Sequence, residues 1–251
     1  MADKYNILFF GASYGSLLGA KVALAGHSAH LICLPEEAEL INNEGAIIRL
    51  PVRGLDQPVE LNTKEMLGAV TAGGPEEANP SDYDLIVLAM QEPQYRVPVV
   101  KDLLSKVGAS GNTCMSIMNM PPLSFIRRIT GVDAATIRDA YTDPTVWDNV
   151  DPSRITLCSP DPQAFRPPEE KCNVLQVGLP TNFKSARFEG DADTSILNQI
   201  EQDIQNIRFD AGGNSVELPV KLRVHDSVFV PLAKWCMLLA CLLYTSPSPR
   251  D

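Results

Sequence analysis

Apolar and polar positions near the start of the chain repeat first with strand spacing and then with helix spacing. A short apolar run over Tyr5–Phe10 predicts a strand that ends at Gly11. Residues Ser16–Gly26 place apolar side chains at helical intervals and end in a glycine, which is typical of a helix stop. Ala29–Leu34 predicts a second strand. The order strand, glycine turn, helix, strand predicts a βαβ unit with parallel strands.

The rest of the first half continues this alternation. Its clearest element is a continuous apolar run, Asp84–Met90, which is typical of a central strand that is covered on both faces. The pair Pro121-Pro122 then predicts the end of a first domain over residues 1–122. The other predicted elements are a helix from Pro35 to Asn43, weaker strands over Ala46–Leu50 and Val59–Leu61, a helix over Tyr95–Val107 and a strand over Thr113–Met118.

The second half of the chain has a different pattern of apolar and polar residues. Thr142–Pro168 is rich in Pro and Asp and predicts irregular structure, while Asn173–Gly178 predicts one strand. Thr194–Ile207 carries isoleucines and a leucine on one face and predicts an amphipathic helix. Ser227–Ala240 is apolar on nearly all sides, as in a buried helix. The pattern as a whole predicts an α/β protein in which a Rossmann-type parallel-sheet domain is followed by a mainly helical, truncated second domain over residues 123–240.

The turn between the first strand and the first helix is the strongest candidate site. Glycines there permit a tight turn and close approach to a pyrophosphate, which the free N–H groups and the positive dipole of a helix N-terminus stabilise. The motif is one residue short of GxGxxG and has a serine at the second glycine, so a plain strand-to-helix turn is the alternative. The predicted cofactor-binding residues of the turn are Gly11, Ala12, Ser13, Tyr14, Gly15 and Ser16.

The stretch ILFFGASYGSLLGAKVALAGHSAHLICL resembles the opening of the ketopantoate reductase (2-dehydropantoate 2-reductase) family, which has GAGAIGSLLGA and then AGH at these places. The resemblance continues at Asp84–Gln94 and at Asn119, which follows a strand as the family's substrate-side Asn does. It implies a Rossmann domain, NAD or NADP as cofactor, a keto-acid substrate and a homodimer.

The resemblance also implies catalytic residues. Asn119 would bind the substrate or the nicotinamide ribose. Lys234, beside Trp235 in an apolar helix, would donate the proton to the carbonyl oxygen. The alternative for Lys234 is a stem on apolar surface with its ammonium group in water.

Two positions bear on the choice between NAD and NADP. Gln91 stands where family members often carry a cofactor-holding Lys, and the sequence places no Arg directly after the second strand. Glu36 or Glu37 could accept hydrogen bonds from a ribose diol, although a first-turn helical carboxylate is the simpler interpretation. We therefore predict no strong preference for NADP.

Composition excludes several function classes. The chain has 21 Lys and Arg against 31 Asp and Glu, a net charge of −10, which disfavours nucleic acid and anionic membranes as partners. The six cysteines show no CxxC spacing, and we predict no metal site. The start lacks the features of a secretory signal, which predicts a cytoplasmic protein.

The last eleven residues, CLLYTSPSPRD, match the in-frame translation of a common sequencing adapter at every position. We therefore expect residues 241–251 to be foreign to the natural protein and its reading frame to be cut near Ala240. Such a cut predicts poor catalysis by the chain as it stands.

These observations predict an NAD(P)H-dependent oxidoreductase that acts on a CH–OH group and reduces a 2-keto acid or similar carbonyl. Two alternatives stay open. One is an opine-type or other 2-hydroxyacid dehydrogenase, and the other is a non-catalytic dinucleotide-binding sensor.

Overall fold

The structure is a computed structural model that describes residues 4–117, 128, 131, 133–139, 141–211, 213–234 and 236–237. Its helices are α1 (Ser13–Leu24), α2 (Pro35–Glu44), α3 (Pro98–Ser110), α4 (Ala134–Asp139) and α5 (Ser195–Ile204), and residues 229–234 are also helical. The strands of the first half are β1 (Asn6–Phe10), β2 (Ser28–Ile32), β3 (Ile47–Leu50), β4 (Val59–Asn62), β5 (Val70–Gly73), β6 (Leu85–Leu88) and β7 (Cys114–Ser116). Those of the second half are β8 (Ile155–Ser159), β9 (Gln163–Phe165), β10 (Val174–Leu179), β11 (Phe183–Ala186), β12 (Arg208–Ala211), β13 (Asn214–Glu217) and β14 (Leu222–His225).

An eight-stranded sheet organises the fold, in the order β14-β11-β8-β7-β6-β1-β2-β5. Six neighbouring strands are mutually parallel, namely β8, β7, β6, β1, β2 and β5. Strand β11 runs antiparallel to β8 and parallel to β14. The chain reverses its direction of progress across the sheet between β1 and β6. Open α/β sheets bind ligands at this point.

Side chains of β1 alternate between two apolar layers, one on each face of the sheet. Ile7 and Phe9 join the layer that holds α1 and α5, and Leu8 and Phe10 join the layer that holds α3. Burial on both faces explains why the central strands are continuous apolar runs rather than alternating ones.

The predicted α/β class with a Rossmann-type parallel sheet is confirmed. Every element predicted up to residue 117 is present, and each described end lies within three residues of its predicted position. Strand β5 was not predicted, because Val70–Gly73 is a short segment with only two residues that favour strands.

The second half contains more strand than its sequence pattern predicts. The described residues between 155 and 225 form seven strands and one helix, and three of these strands, β8, β11 and β14, extend the main sheet. Strands β9 and β10 join β3 and β4 in a four-stranded sheet, and β12 and β13 form a hairpin. The domain boundary at residue 122 stays a prediction, and β7 and β8, which lie on either side of it, pair directly.

None of the helices within the described ranges has both the length and the apolar character that crossing a bilayer requires.

Candidate dinucleotide-binding site

Gly11 closes β1 in a conformation that favours glycine. Its φ is +101°, and its N–H donates to Ile32 O at 2.9 Å. A Cβ atom at this position would lie 3.2 Å from Met90 Cγ and 3.3 Å from Ala89 O. A side chain here would therefore be strained and would crowd the residues that follow β6.

Helix α1 begins immediately after this turn, at Ser13, with Ala12 as its N-cap. No side chain caps the helix, and its first turn contains no acidic residue. Helix geometry leaves the first N–H groups without intrahelical acceptors, and their partial positive charge attracts an anion. The α1 N-terminus thus has the chemistry of a phosphate site.

A cavity of about 730 Å³ opens at this helix end. It lies along the carboxyl ends of β1, β2 and β6, which is the edge where the direction of the chain reverses. Its walls are mainly apolar, with Ile32 and Leu34 on one side and Met90 and Val100 on another. A groove of this size, with a few polar groups at defined places, is suited to a cofactor.

An ion pair forms one wall of the cavity. Glu37, in the first turn of α2, contacts the guanidinium of Arg166, which follows β9. The Glu37 side chain is 8% exposed and that of Arg166 is 35% exposed. Burial raises the pKa of the Glu37 carboxyl, and the adjacent Arg166 opposes part of that rise. The cavity therefore contains a partly desolvated carboxylate and its counter-charge at the end of β2.

Tyr14 connects the glycine turn to the second half of the chain. Its hydroxyl donates to Pro162 O at 3.1 Å, and its ring packs edge-on against Phe183 with 6.1 Å between centroids. Burial raises the pKa of this phenol. The turn is thus held by a contact that spans 148 residues of sequence.

The segment after β6 is fixed by hydrogen bonds of its own. The Gln91 N–H donates to Gln94 Oε1 at 2.8 Å, and the Met90 N–H donates to the hydroxyl of fully buried Tyr95 at 3.3 Å. This wall of the cavity is therefore held by short-range hydrogen bonds within residues 90–95.

The structure brings most of the predicted cofactor-binding residues together. Gly11, Ala12, Ser13, Tyr14 and Gln91 all line the cavity.

Three other predicted residues lie outside the cavity lining. Gly15 faces the sheet, where a Cβ would lie 3.2 Å from Phe9 Cβ, and it therefore allows α1 to pack closely on β1. Ser16 is buried behind it. Glu36 is exposed, and its neighbour Glu37 is the carboxylate that reaches the cavity.

The two predicted catalytic residues are not brought to this cavity by the described part of the chain. Asn119 lies outside the described residues. Lys234 is half-buried in the helical segment 229–234, and its ammonium group forms no hydrogen bond or ion pair with the described residues. Phe229 and Met237 nearby are 74% and 62% exposed, so this segment is not buried on all sides as its sequence pattern predicts.

Arg166 lines the cavity and was missed by sequence reasoning. It stands in a Pro-rich segment without periodicity, far along the chain from β2, and no local signal marks it. Across the described ranges, no group of three or more His, Cys, Asp or Glu side chains could hold a metal ion.

A glycine turn between parallel strands, a helix N-terminus at the reversal point and a cavity beside it define a Rossmann-type dinucleotide-binding fold. No family model matches the sequence, and no curated protein sequence matches it.

Solved structures do share the fold. A candidate ketopantoate reductase from Ralstonia solanacearum MolK2 aligns with a TM-score of 0.63 at 13% identity, over 94% of this chain and 64% of that one. A candidate 2-dehydropantoate 2-reductase from Bacillus subtilis gives 0.57 at 14% identity, over 94% and 63%. A D-mandelate dehydrogenase in complex with NADH gives 0.52 at 13% identity, over 93% and 59%. The chain therefore has the ketopantoate reductase fold and spans less than two thirds of the length of these proteins.

Proposed function

We propose that the protein binds NAD(H) or NADP(H) in the cavity at the α1 N-terminus and reduces a 2-keto acid or similar carbonyl compound. The observation that carries the proposal is the uncapped N-terminus of α1, which opens on a cavity of about 730 Å³ at the reversal point of the sheet. The NADH complex of the D-mandelate dehydrogenase, a protein with the same fold, supports this class of cofactor.

The residues of the cavity fit such a group. The N–H groups at Ser13 and Tyr14 would hold the pyrophosphate, and the turn at Gly11 lets the backbone approach it. Glu37 lines the cavity beyond the end of β2, near which Rossmann proteins bind the adenosine ribose, and its carboxylate could accept hydrogen bonds from the ribose hydroxyl groups. The apolar walls would exclude water from the bound cofactor.

A bound reduced cofactor supplies the hydride that a carbonyl carbon accepts. For the chain itself, we propose that Asn119 orients the substrate and that Lys234 donates the proton to the carbonyl oxygen. The 2-keto acid class is supported by the neighbours, because 2-dehydropantoate and the product of mandelate oxidation are both 2-keto acids.

A Ser13→Asp substitution tests the binding site. The new carboxylate would repel a pyrophosphate, whereas at the first turn of a helix it favours folding by about 0.3–1 kcal/mol. We expect the Kd for NADH and NADPH, measured by fluorescence titration, to rise about tenfold or more, which is about 1.4 kcal/mol.

The matched control is Ser13→Asn, which has nearly the same shape without the charge. It should change the Kd much less than Ser13→Asp does. Unchanged affinity in the Asp variant would place the cofactor elsewhere or show that none binds.

The reaction is tested by following NADH and NADPH oxidation with a panel of 2-keto acids, with and without an amino acid as co-substrate. In a chain that carries the natural sequence beyond Ala240, we expect turnover that Lys234→Met lowers by about 10² or more without changing the cofactor Kd. Turnover that requires the amino acid would favour the opine-type alternative. Tight cofactor binding without oxidation of any keto acid would favour the sensor.

A further inference from the structure

The ion pair between Glu37 and Arg166 is placed where a Rossmann protein distinguishes its two dinucleotide cofactors. Glu37 follows β2, and the ribose of a bound dinucleotide lies beside the residues at the end of that strand. NAD carries a 2′-hydroxyl at this ribose and NADP a 2′-phosphate. An isolated carboxylate would bind the first and repel the second.

Arg166 changes this balance because its charge offsets that of Glu37 inside the cavity. Among the described residues, the side chain of Arg166 forms its ion pair and its hydrogen bond with Glu37. A guanidinium has five N–H donors in a planar fork, so the contact with one carboxylate oxygen leaves donors for a ligand. At 35% exposed and on the cavity wall, this side chain can reach a phosphate group.

Arg166 is also held in place. The connection from β8 to β9 is fixed by the hydrogen bond from Tyr14 to Pro162 and by the ion pair of Lys184 with the buried Asp161 at 2.8 Å. Phe165, next to Arg166, pairs with Gln176 in the second sheet. Because the backbone at Arg166 is anchored, little conformational entropy is lost when this cation binds a ligand.

We propose that Arg166 is the specificity residue that binds the 2′-phosphate of NADP, and that Glu37 competes with that phosphate for its guanidinium. This inference rests on the proposed function. With both residues present the pair is neutral, which agrees with the sequence prediction of no strong preference for NADP. Loss of either residue should shift the preference, and the two losses should shift it in opposite directions.

The test uses two ligands that differ in one group, 5′-AMP and adenosine 2′,5′-bisphosphate, titrated by calorimetry into the whole chain. In Arg166→Gln we expect the bisphosphate to lose about tenfold or more in affinity relative to 5′-AMP. In Glu37→Gln we expect the ratio to move towards the bisphosphate by about threefold or more, because its competitor is gone.

Arg49→Gln is the matched control. Arg49 is also held by carboxylates, Glu60 and Glu170, but it does not line the cavity, so the ligand ratio should not change. If Arg166→Gln does not fold, as judged by its circular dichroism melt, Glu37→Gln still tests the competition.

The outcomes separate the two proposals. If 5′-AMP does not bind the wild-type chain, the proposed function fails. If 5′-AMP binds and neither variant changes the ratio, the function stands and the role of Arg166 is overturned.

Discussion

Lys21, at the centre of α1, is a charged side chain with no exposed surface. Its ammonium group has one weak polar contact among the described residues, to Leu218 O at 3.4 Å. Burial, with a smaller contribution from the Lys221 ammonium, lowers the pKa of Lys21 from 10.5 to about 7, and Glu217 opposes this only in part. Below pH 7 the folded protein therefore holds a poorly compensated charge in its core.

The pH dependence of this penalty follows from the two pKa values. Below pH 7 Lys21 is charged in both the folded and the unfolded state, so the full penalty applies. Between pH 7 and 10.5 only the unfolded chain binds the proton, and stability rises by about 1.36 kcal/mol for each pH unit. Above 10.5 the penalty is gone.

We predict that Lys21→Met stabilises the protein by roughly 1–4 kcal/mol at pH 6.5, because an apolar side chain of similar length replaces the charge. The advantage over wild type should shrink steadily towards pH 10. Urea unfolding at several pH values measures both quantities. Lys171→Met, at an exposed salt bridge with Glu44, is the control and should show no such trend. An advantage that does not change with pH would contradict the account.

At the scale of single residues, the sequence predicts much of the cavity and misses its ion pair. Gly11 could be predicted because a strand, a turn and a helix follow one another within a few residues. The roles of Gly15 and Glu37 could not, since which side of α1 meets the sheet, and which of two adjacent glutamates faces inward, depend on packing. Arg166 could not be predicted either, because it lies 129 residues from its partner.

Among the elements, α3 contains a glycine where intrinsic preference favours alanine. A Cβ at Gly108 would lie 2.0 Å from Asn149 O and 2.7 Å from Asn149 C, which are backbone atoms that cannot rotate away. The helix and the loop at Asn149 are therefore in contact through their backbones.

We predict that Gly108→Ala lowers the free energy of unfolding by about 1–3 kcal/mol, because the overpacking outweighs the roughly 1 kcal/mol that alanine gains in a helix. Thermal and urea melts measure the change. In the control, Ala109→Gly at the adjacent exposed position, stability should fall by about 0.5–1 kcal/mol from propensity alone. A stabilised Gly108→Ala protein would show that the loop moves aside freely.

Most strands of the second half could not be predicted from the sequence pattern. Strand β8 is a fully buried run of five residues between Pro152 and the Asp161-Pro162 pair. Its core Ile155–Cys158 is apolar apart from Thr156, and this short apolar run is the signal that could have revealed it. The surrounding prolines and aspartates made irregular structure the better interpretation of Thr142–Pro168.

In the whole molecule, direct contacts join the first half of the chain to the second half. Strand β7 pairs with β8, and His27 Nε2 in the turn after α1 lies 3.1 Å from Asp203 Oδ2 at the end of α5. Burial lowers the pKa of His27, although Asp203 opposes this. Such contacts make independent unfolding of the two halves unfavourable.

We predict a single cooperative unfolding transition in which amide groups of β6 and β8 share one opening free energy. Native-state hydrogen exchange, read by mass spectrometry on peptides from the two strands, measures it. Opening free energies that differ by more than about 2 kcal/mol, with β8 the weaker, would instead support separate domains with a boundary near residue 122.

The hydrogen bond from Tyr14 to Pro162 determines when the binding site can form during synthesis of the chain. During synthesis, a nascent chain that ends at residue 117 already contains the glycine turn but not the segment that holds it or the cation that completes the cavity. A ligand that needs both cannot capture such an intermediate. It binds only the finished fold, and at a hundred times its Kd it stabilises that fold by about 2.7 kcal/mol. If that ligand is the proposed nucleotide, its cellular level should influence how long the folded protein survives proteolysis, as well as whether its site is filled.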